Sequence, residues 1–345
     1  MKIILTGGGT LGSVSPLIAV WQALKNKTAD NLEALFIGTY AGPEKEFLSR
    51  YPIIFKPILA GKLRRYFSLK NFLDPFLILL GCLQSLIIIL KFKPKLIISA
   101  GSFAAVPVIL IAKILNIKVL IHQLDLQASL SNRLVKNLAD KITVTFKESL
   151  VNFPKNKTAC VGAVLREEIK QTLPAAQENN VLILGGGTGA LTLNQLIAEV
   201  IPLLPEEITV NHVTGKNKAI VVNGYANYNQ CDLLAEDYYA KIAAAQLVVS
   251  RAGLGALTEL AYLTKPTVII PIASSQQEKN AEYFADRGAA VYLKQTKLSA
   301  EGLTGEIVGL LKEKTKLKHL SDKIHSIMEY EGAAKMAEIA LKLLI

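Results

Sequence analysis

Ile3–Thr10 reads IILTGGGT, and Val181–Thr188 reads VLILGGGT. The starts of these two stretches, residues 3 and 181, lie about half of the 345-residue chain apart. Each is a short apolar run broken by glycines. A helical pattern follows each one, over Thr10 to Leu24 and over Ala190 to Val200. Pro16 near the first helix start fits, because its missing N–H would be unpaired there. Working outward, apolar strand candidates recur at Ala34–Ile37, Leu96–Ser99, Lys118–Ile121 and Ile142–Thr145. In the second half they recur at Asn180–Leu184, Val210–Val213, Leu247–Ser250, Thr267–Ile270 and Ala290–Leu293. Strands alternating with helices imply βαβ units and a parallel sheet. The expected fold class is α/β, with two Rossmann-like domains facing across a cleft. The expected domains are 1–165 and 166–330, with the closing amphipathic helix 331–345 packing back on the first.

Composition narrows the function classes. The chain is 51% hydrophobic and 19% charged, which excludes disorder. Three cysteines, at 82, 160 and 231, are odd in number and far apart. They give neither a disulfide framework nor a zinc spacing, so a reducing, cytosolic compartment is expected. The net charge of +11 fits an acidic partner, or simply a basic solvated surface. RNA-binding motifs and Cys/His fingers are absent from the sequence, so no nucleic-acid partner is expected. The run before the first glycines is too short for a signal-peptide core. Phe72–Leu90 (FLDPFLILLGCLQSLIIIL) is the one membrane suspect. Only about 15 apolar residues follow Pro75, where a span needs about 20. An interfacial or buried helix is expected instead. Lys62, Arg64, Arg65, Tyr66, Phe67 and Lys70 precede it, and Lys91, Lys93 and Lys95 follow. That flanking suits an anionic membrane surface.

Three motif blocks carry the chemistry. Glycine turns at strand ends bring backbone N–H groups close to an anion at a helix start. The first loop lacks full GxGxxG spacing and an acidic ribose partner, so it is a poor nicotinamide-cofactor fingerprint. Two such loops at equivalent places point to a phosphate on one side and a second ligand on the other. Next, Ser250–Glu259 (SRAGLGALTE) ends a strand and opens a helix. Glu259 there reads two ways: a carboxylate that accepts from paired ribose hydroxyls, or a solvated helix-start carboxylate. Third, Pro271–Ala281 (PIASSQQEKNA) holds Gln276, Gln277 and Asn280, whose amides suit sugar hydroxyls.

These blocks, in this order, resemble the MurG family, the UDP-N-acetylglucosamine:undecaprenyl-pyrophosphoryl-MurNAc-pentapeptide N-acetylglucosaminyltransferases of GT-B fold. GGTLGSVSPLIA at Gly8–Ala19 resembles that family's first loop, and GGGTGALTLN at Gly185–Asn194 its second. Arg251–Glu259, Gln276–Ala281 and Lys91–Ile98 extend the likeness nearly end to end. The resemblance implies an inverting transfer of GlcNAc from UDP-GlcNAc to an undecaprenyl-linked acceptor, lipid I, at the cytoplasmic membrane face. It implies Glu259 at the ribose, Gln276 and Gln277 at the sugar with Asn280 beside them, and Arg166 at the nucleotide. Thr10, Leu11 and Gly12 are expected at the acceptor diphosphate and donor sugar. Gly187, Thr188, Gly189 and Leu254, Gly255, Ala256, Leu257, Thr258 are expected along the donor, and Ala235 at the uracil. No DxD motif occurs, so neither a metal nor a cofactor is expected.

The departures bear on catalysis. The family's first-loop histidine is Ser13 here, and Leu11 replaces a glycine. The family's HEQN element is His122–Gln123–Leu124–Asp125. Three readings fit. Asp125 supplies the base, or the displacement runs on electrostatics with only a weak base, or the activity is lost or changed. Asp125 and Ser13 are therefore the catalytic candidates. The alternatives are a transferase for another lipid acceptor, a sugar-nucleotide epimerase and a silent homologue.

Overall fold

The computed structural model describes residues 1–28, 31–61, 74–173, 175–186, 190–222, 224–232 and 237–344. They form two compact units: Met1–Arg166 with Glu329–Ile345, and Glu167–Met328.

Unit 1 carries a seven-stranded parallel sheet. Its strands are β1 (Lys2–Thr6), β2 (Glu33–Thr39), β3 (Ile54–Ile58), β4 (Leu96–Ser99), β5 (Lys118–Gln123), β6 (Lys141–Val144) and β7 (Thr158–Cys160). The spatial order is β3-β2-β1-β4-β5-β6-β7. Its helices are α1 (Ser15–Lys27), α2 (Glu44–Leu48), α3 (Asp74–Phe92), α4 (Ala105–Ile114) and α5 (Leu130–Val135). Unit 2 opens with α6 (Glu167–Lys170) and carries β8 (Asn180–Leu184), α7 (Leu191–Val200), β9 (Thr209–Val213), β10 (Tyr228–Cys231), α8 (Tyr238–Ala244) and β11 (Leu247–Ser250). It continues with α9 (Leu254–Tyr262), β12 (Thr267–Ile269), α10 (Gln276–Ala285), β13 (Val291–Tyr292), α11 (Ala300–Lys312) and α12 (Lys314–His325). Its parallel sheet runs β10-β9-β8-β11-β12-β13. The closing helix α13 (Gly332–Leu344) belongs to unit 1.

Side-chain alternation explains why unit 1 is layered. On β1, Ile3 and Leu5 join one core with Leu17 and Val20 of α1 and Met336 and Ala337 of α13. Ile4 joins the opposite core with Ile89 of α3 and Ile109 of α4. A strand places successive side chains on opposite faces, so a parallel strand covered on both sides is apolar at every position. In unit 2, Val181 and Ile183 of β8 pack with Ile197 of α7 and Leu303 and Ile307 of α11.

The apolar segment 74–92 is one continuous helix, α3. Phe72 and the basic stretch from Lys62 to Lys70 lie outside the described residues. By length and composition α3 could cross a membrane, with a mean hydropathy of 2.1 over its best 18-residue window. One stripe of it is fastened to unit 1. Gly81 lets the helix close on the Leu59 carbonyl, where a Cβ would collide. Gln84 accepts the Leu59 N–H at 2.7 Å. Asp74, Ser85, Ile89 and Phe92 are buried on this same stripe. Phe76, Leu79, Leu80, Leu83, Ile87 and Leu90 are exposed. At about 100° per residue these six fall within roughly 100° of one another, opposite the buried stripe. The helix is inside-out: its outer face is more apolar than its inner one.

Two histidines are buried inside the sheets. His122 on β5 lies between the hydroxyls of Thr143 (3.1 Å) and Thr145 (3.3 Å). His212 on β9 lies between the Tyr228 hydroxyl (2.9 Å) and Asn194 (3.2 Å). Burial lowers their pKa values to about 3 and about 4. Below pH 6.5 the unfolded chain takes up protons that the folded chain refuses, so stability falls as pH drops from 6.5 toward those values. Each histidine contributes up to about 1.4 kcal/mol per pH unit in that window. Urea unfolding at pH 7.5 and pH 5.0 should show a clear loss at pH 5.0, and a smaller loss in a His122→Gln protein. Equal losses in both proteins would overturn this account of His122.

Candidate active site

In a parallel sheet every strand-to-helix loop leaves from the same edge, and ligands bind where the strand order reverses. In unit 1 that reversal lies between β1 and β4. The loops after β1, β4 and β5 therefore stand side by side, with neighbouring strands about 4.8 Å apart.

The loop after β1 is held from two sides. Ser13 accepts the Gly8 N–H at 3.0 Å, and its hydroxyl lies 3.3 Å from the carbonyls of Gly8 and Thr10. Glu44 of α2, fully buried, accepts from Gly9 N–H at 3.2 Å and from Thr39 N–H at 2.6 Å. It also accepts from the Thr39 hydroxyl. Gly8 has φ +141°, and a Cβ there would collide with the Glu44 carboxylate. The Gly8 and Gly9 amides are thus spent on side chains. Thr10, Leu11 and Gly12 stand on the accessible side. Ser13, a candidate for catalysis from sequence, is engaged as the clip of this loop.

The loop after β5 hangs on Gln123, which is buried. Its amide donates to the carbonyls of Asp125 (2.8 Å) and Gln127 (2.9 Å). Its oxygen accepts from Ser129 N–H (3.2 Å) and Asn132 (2.8 Å). An ionised glutamate has no donor for those carbonyls. Gln123 therefore suits this loop where the family glutamate would not, and it fixes the backbone that carries the half-exposed Asp125.

Sequence reading missed the loop after β4, between the other two. Gly101 and Ser102 both have positive φ, 90° and 87°. Ser102 donates its N–H to Ser131 at 3.2 Å, and Ala104 donates to the Ser102 hydroxyl at 3.2 Å. A serine in that conformation is uncommon. The signal was present as AGSF between an apolar run and the Ala105–Pro107 helix start.

In unit 2 the reversal lies between β8 and β11. Gly187, Thr188, Gly189 and Ala235 lie outside the described residues. The loop after β11 leads into α9, whose first N–H groups have no partner within the helix. Leu254 and Leu257 turn into the core and Thr258 donates to the Gly255 carbonyl, so this run offers a ligand mainly its backbone. Glu259 is only 6% exposed, which excludes the solvated helix-start reading. Its two oxygens accept from the hydroxyls of Tyr238 (2.8 Å) and Tyr239 (2.9 Å). Neither tyrosine was singled out from sequence, since a residue about 20 positions away leaves no local spacing signal.

Several side chains of these blocks also tie the scaffold together. Asn280, expected beside the sugar, is fully buried and donates to the Ala252 carbonyl at 3.0 Å. It ties α10 to the loop after β11. Arg251 is buried and donates to the carbonyls of Ile270 (2.9 Å) and Pro271 (3.3 Å). Desolvation lowers its pKa. Gln277 accepts the Ile272 N–H at 3.1 Å, closing the loop after β12, and Gln276 begins α10 beside it. Arg166 is the last residue of unit 1's first segment rather than the start of unit 2. It donates to the Tyr51 hydroxyl at 3.2 Å and stacks 5.0 Å over Phe47. Among the described residues no cluster of His, Cys, Asp and Glu could hold a metal ion.

Residues 3–144 match the glycosyltransferase family 28 N-terminal domain, and residues 180–338 its C-terminal domain. A curated relative from Staphylococcus aureus is 36% identical over 96% of this chain and 94% of its own. It is named UDP-N-acetylglucosamine–N-acetylmuramyl-(pentapeptide) pyrophosphoryl-undecaprenol N-acetylglucosamine transferase. This chain belongs to the MurG family. The crystal structure of Acinetobacter baumannii MurG shares its fold, with a TM-score of 0.73 at 22% identity over 99% of both chains. A Neisseria meningitidis UDP-GlcNAc 2-epimerase bound to UDP-GlcNAc also superposes, with a TM-score of 0.71 at 14% identity over 100% of this chain and 99% of its own. The fold is therefore common to transferases and epimerases, and sequence identity places this chain with the MurG family.

Glu44 gives the site a direct test. Glu44→Ala leaves the Thr39 and Gly9 donors, which lie in a part-buried setting, without this acceptor. At about 1–3 kcal/mol per bare group, unit 1 should lose roughly 2–4 kcal/mol. Urea denaturation measures it, and a loss under about 0.5 kcal/mol would show that the loop does not depend on this carboxylate.

Proposed function

We propose that the protein transfers N-acetylglucosamine from UDP-GlcNAc to undecaprenyl-pyrophosphoryl-MurNAc-pentapeptide, giving lipid II for peptidoglycan synthesis. The observation that carries this reading is the 36% identity, over 96% of the chain, to a transferase of that name. Unit 2 takes the donor. Glu259 accepts from the ribose hydroxyls, Gln276 and Gln277 meet the sugar, and the amides opening α9 face the diphosphate. Negative charge grows on that diphosphate as UDP leaves, and helix N-termini stabilise it. Unit 1 takes the acceptor at Thr10, Leu11 and Gly12. The acceptor oxygen bonds to the anomeric carbon from the face opposite UDP. The bond from that carbon to the phosphate oxygen breaks, its electron pair leaves with UDP, and the acceptor's proton passes to Asp125.

Asp125 is the better candidate base because Ser13 is engaged within its own loop. In a lipid-I transfer assay with radiolabelled UDP-GlcNAc, Asp125→Asn should cut turnover about 100-fold or more. Ser13→Ala should cost less than about 10-fold, the size of one lost neutral hydrogen bond. The reverse ranking would return the base to the first loop. Sugar-nucleotide turnover without lipid would favour an epimerase, and donor binding without turnover a silent homologue.

The acceptor's lipid requires the protein to work at a membrane surface. The six-residue apolar stripe of α3 supports peripheral docking there, with Lys91, Lys93 and Lys95 following it along the chain. Flotation with anionic vesicles tests this. Leu79→Ser, Leu83→Ser and Ile87→Ser together should lower partitioning about 100-fold while leaving the fold intact, because these side chains are already exposed. Unchanged flotation would remove α3 from the docking surface.

A further inference from the structure

Glu259 does not stand alone. It lies on α9, and both of its carboxylate oxygens are gripped from α8. Tyr238 donates to Oε2 at 2.8 Å and Tyr239 to Oε1 at 2.9 Å. The two rings tilt against each other, with centroids 5.1 Å apart. Tyr239 is buried and Tyr238 half-buried, so the grip is inside the protein rather than on its surface.

This arrangement has a chemical consequence. A tyrosine O–H donating to each oxygen fixes the plane of the carboxylate, and a carboxylate oxygen held in this way is turned to accept from a ligand. An ionised carboxylate accepts about four hydrogen bonds. A ligand meeting this group must bring donors, because a carboxylate oxygen only accepts. A vicinal diol brings two on adjacent atoms. A nucleoside lacking the 2′-hydroxyl brings one, and forfeits the second bond to a carboxylate already turned to receive two. A site built to bond a hydroxyl rejects the analogue that lacks it.

We propose that Tyr238 and Tyr239 are positioning residues that set selectivity for ribonucleotide over deoxyribonucleotide donors, by fixing the Glu259 carboxylate in rotation. The proposal rests on the reading of Glu259 as the ribose carboxylate. The tyrosines need not touch the ligand. They act through Glu259.

The test is competitive binding of UDP and 2′-deoxy-UDP to the full-length protein, for wild type, Tyr238→Phe, Tyr239→Phe and Glu259→Gln. Each phenylalanine keeps its ring and loses one oxygen. The wild type should prefer UDP roughly 10- to 100-fold, the range of a hydrogen bond to a charged group. Each tyrosine variant should bring that ratio down at least threefold, mainly by weakening UDP. A merely structural role would weaken both nucleotides alike and leave the ratio unmoved. If Glu259→Gln collapses the ratio while both tyrosine variants keep it, the ribose reading stands and the proposal is overturned. If the wild type binds both nucleotides equally, the ribose reading itself fails and takes the proposal with it. Tyr238→Phe alters the less buried of the two side chains, so it carries the test even where Tyr239→Phe disturbs folding.

Discussion

A parallel sheet cannot return its chain on the same side. Each strand must be followed by a crossover, and all strand-to-helix loops leave from one edge. Everything chemical in this protein depends on that constraint. In unit 1 it brings together the loops after β1, β4 and β5, which follow Thr6, Ser99 and Gln123 in the chain. In unit 2 it brings the loop after β11 beside that after β12, with the α8 tyrosines reaching Glu259 on α9. The loops then need anchors, because glycine turns have no side chains of their own to hold them. The anchors are polar and, Ser13 apart, buried: Glu44 and Ser13 under the first loop, Gln123 under the Asp125 loop, Arg251 and Asn280 behind the loops after β11 and β12.

The same constraint explains α3. A crossover helix ordinarily turns its apolar face inward. Here the inward stripe carries Gly81, Ser85 and Asp74, with Gln84 bonded to the domain beside it, and the outward stripe carries leucine, isoleucine and phenylalanine. Close backbone approach and hydrogen bonding attach the helix to its domain, and six large apolar residues are left facing outward. An apolar stripe on the outside of a structurally fastened helix is what the proposed peripheral docking requires.

The central strands were legible in the sequence because they are apolar on both faces. Lys2–Thr6, Leu96–Ser99, Leu247–Ser250 and Asn180–Leu184 all read correctly. The strands that escaped notice are Ile54–Ile58, Thr158–Cys160 and Tyr228–Cys231. All lie at sheet edges, where one side lacks a neighbour and the pattern mixes polar with apolar residues. β3 even holds Pro57, which an edge strand tolerates and a central one does not. The site divides in the same way. Glu259, Gln276 and Gln277 could be located from local motifs. Glu44, Tyr238 and Tyr239 could not, because their meaning lies in contacts between elements. Asn280 shows the same limit: local sequence marks it only as polar, and the contact to the Ala252 carbonyl that ties α10 to the loop after β11 lies between elements.

The departures from the MurG family pattern make sense together. Two of them, Ser13 and Gln123, fall on the edge where unit 1's loops emerge, and each has a defined hydrogen-bonding task there. Ser13 replaces a group that can carry a proton with one that closes the loop it sits on. Gln123 replaces an acceptor-only carboxylate with an amide that donates to two backbone carbonyls, one of them that of Asp125. The second exchange makes the loop rigid at the residue whose carboxylate is proposed to receive the proton. A base needs geometry before it needs a tuned pKa. On this reading the basic group has moved from the first strand's loop to the fifth strand's, and the substitution at position 123 is what makes the new location precise enough to use.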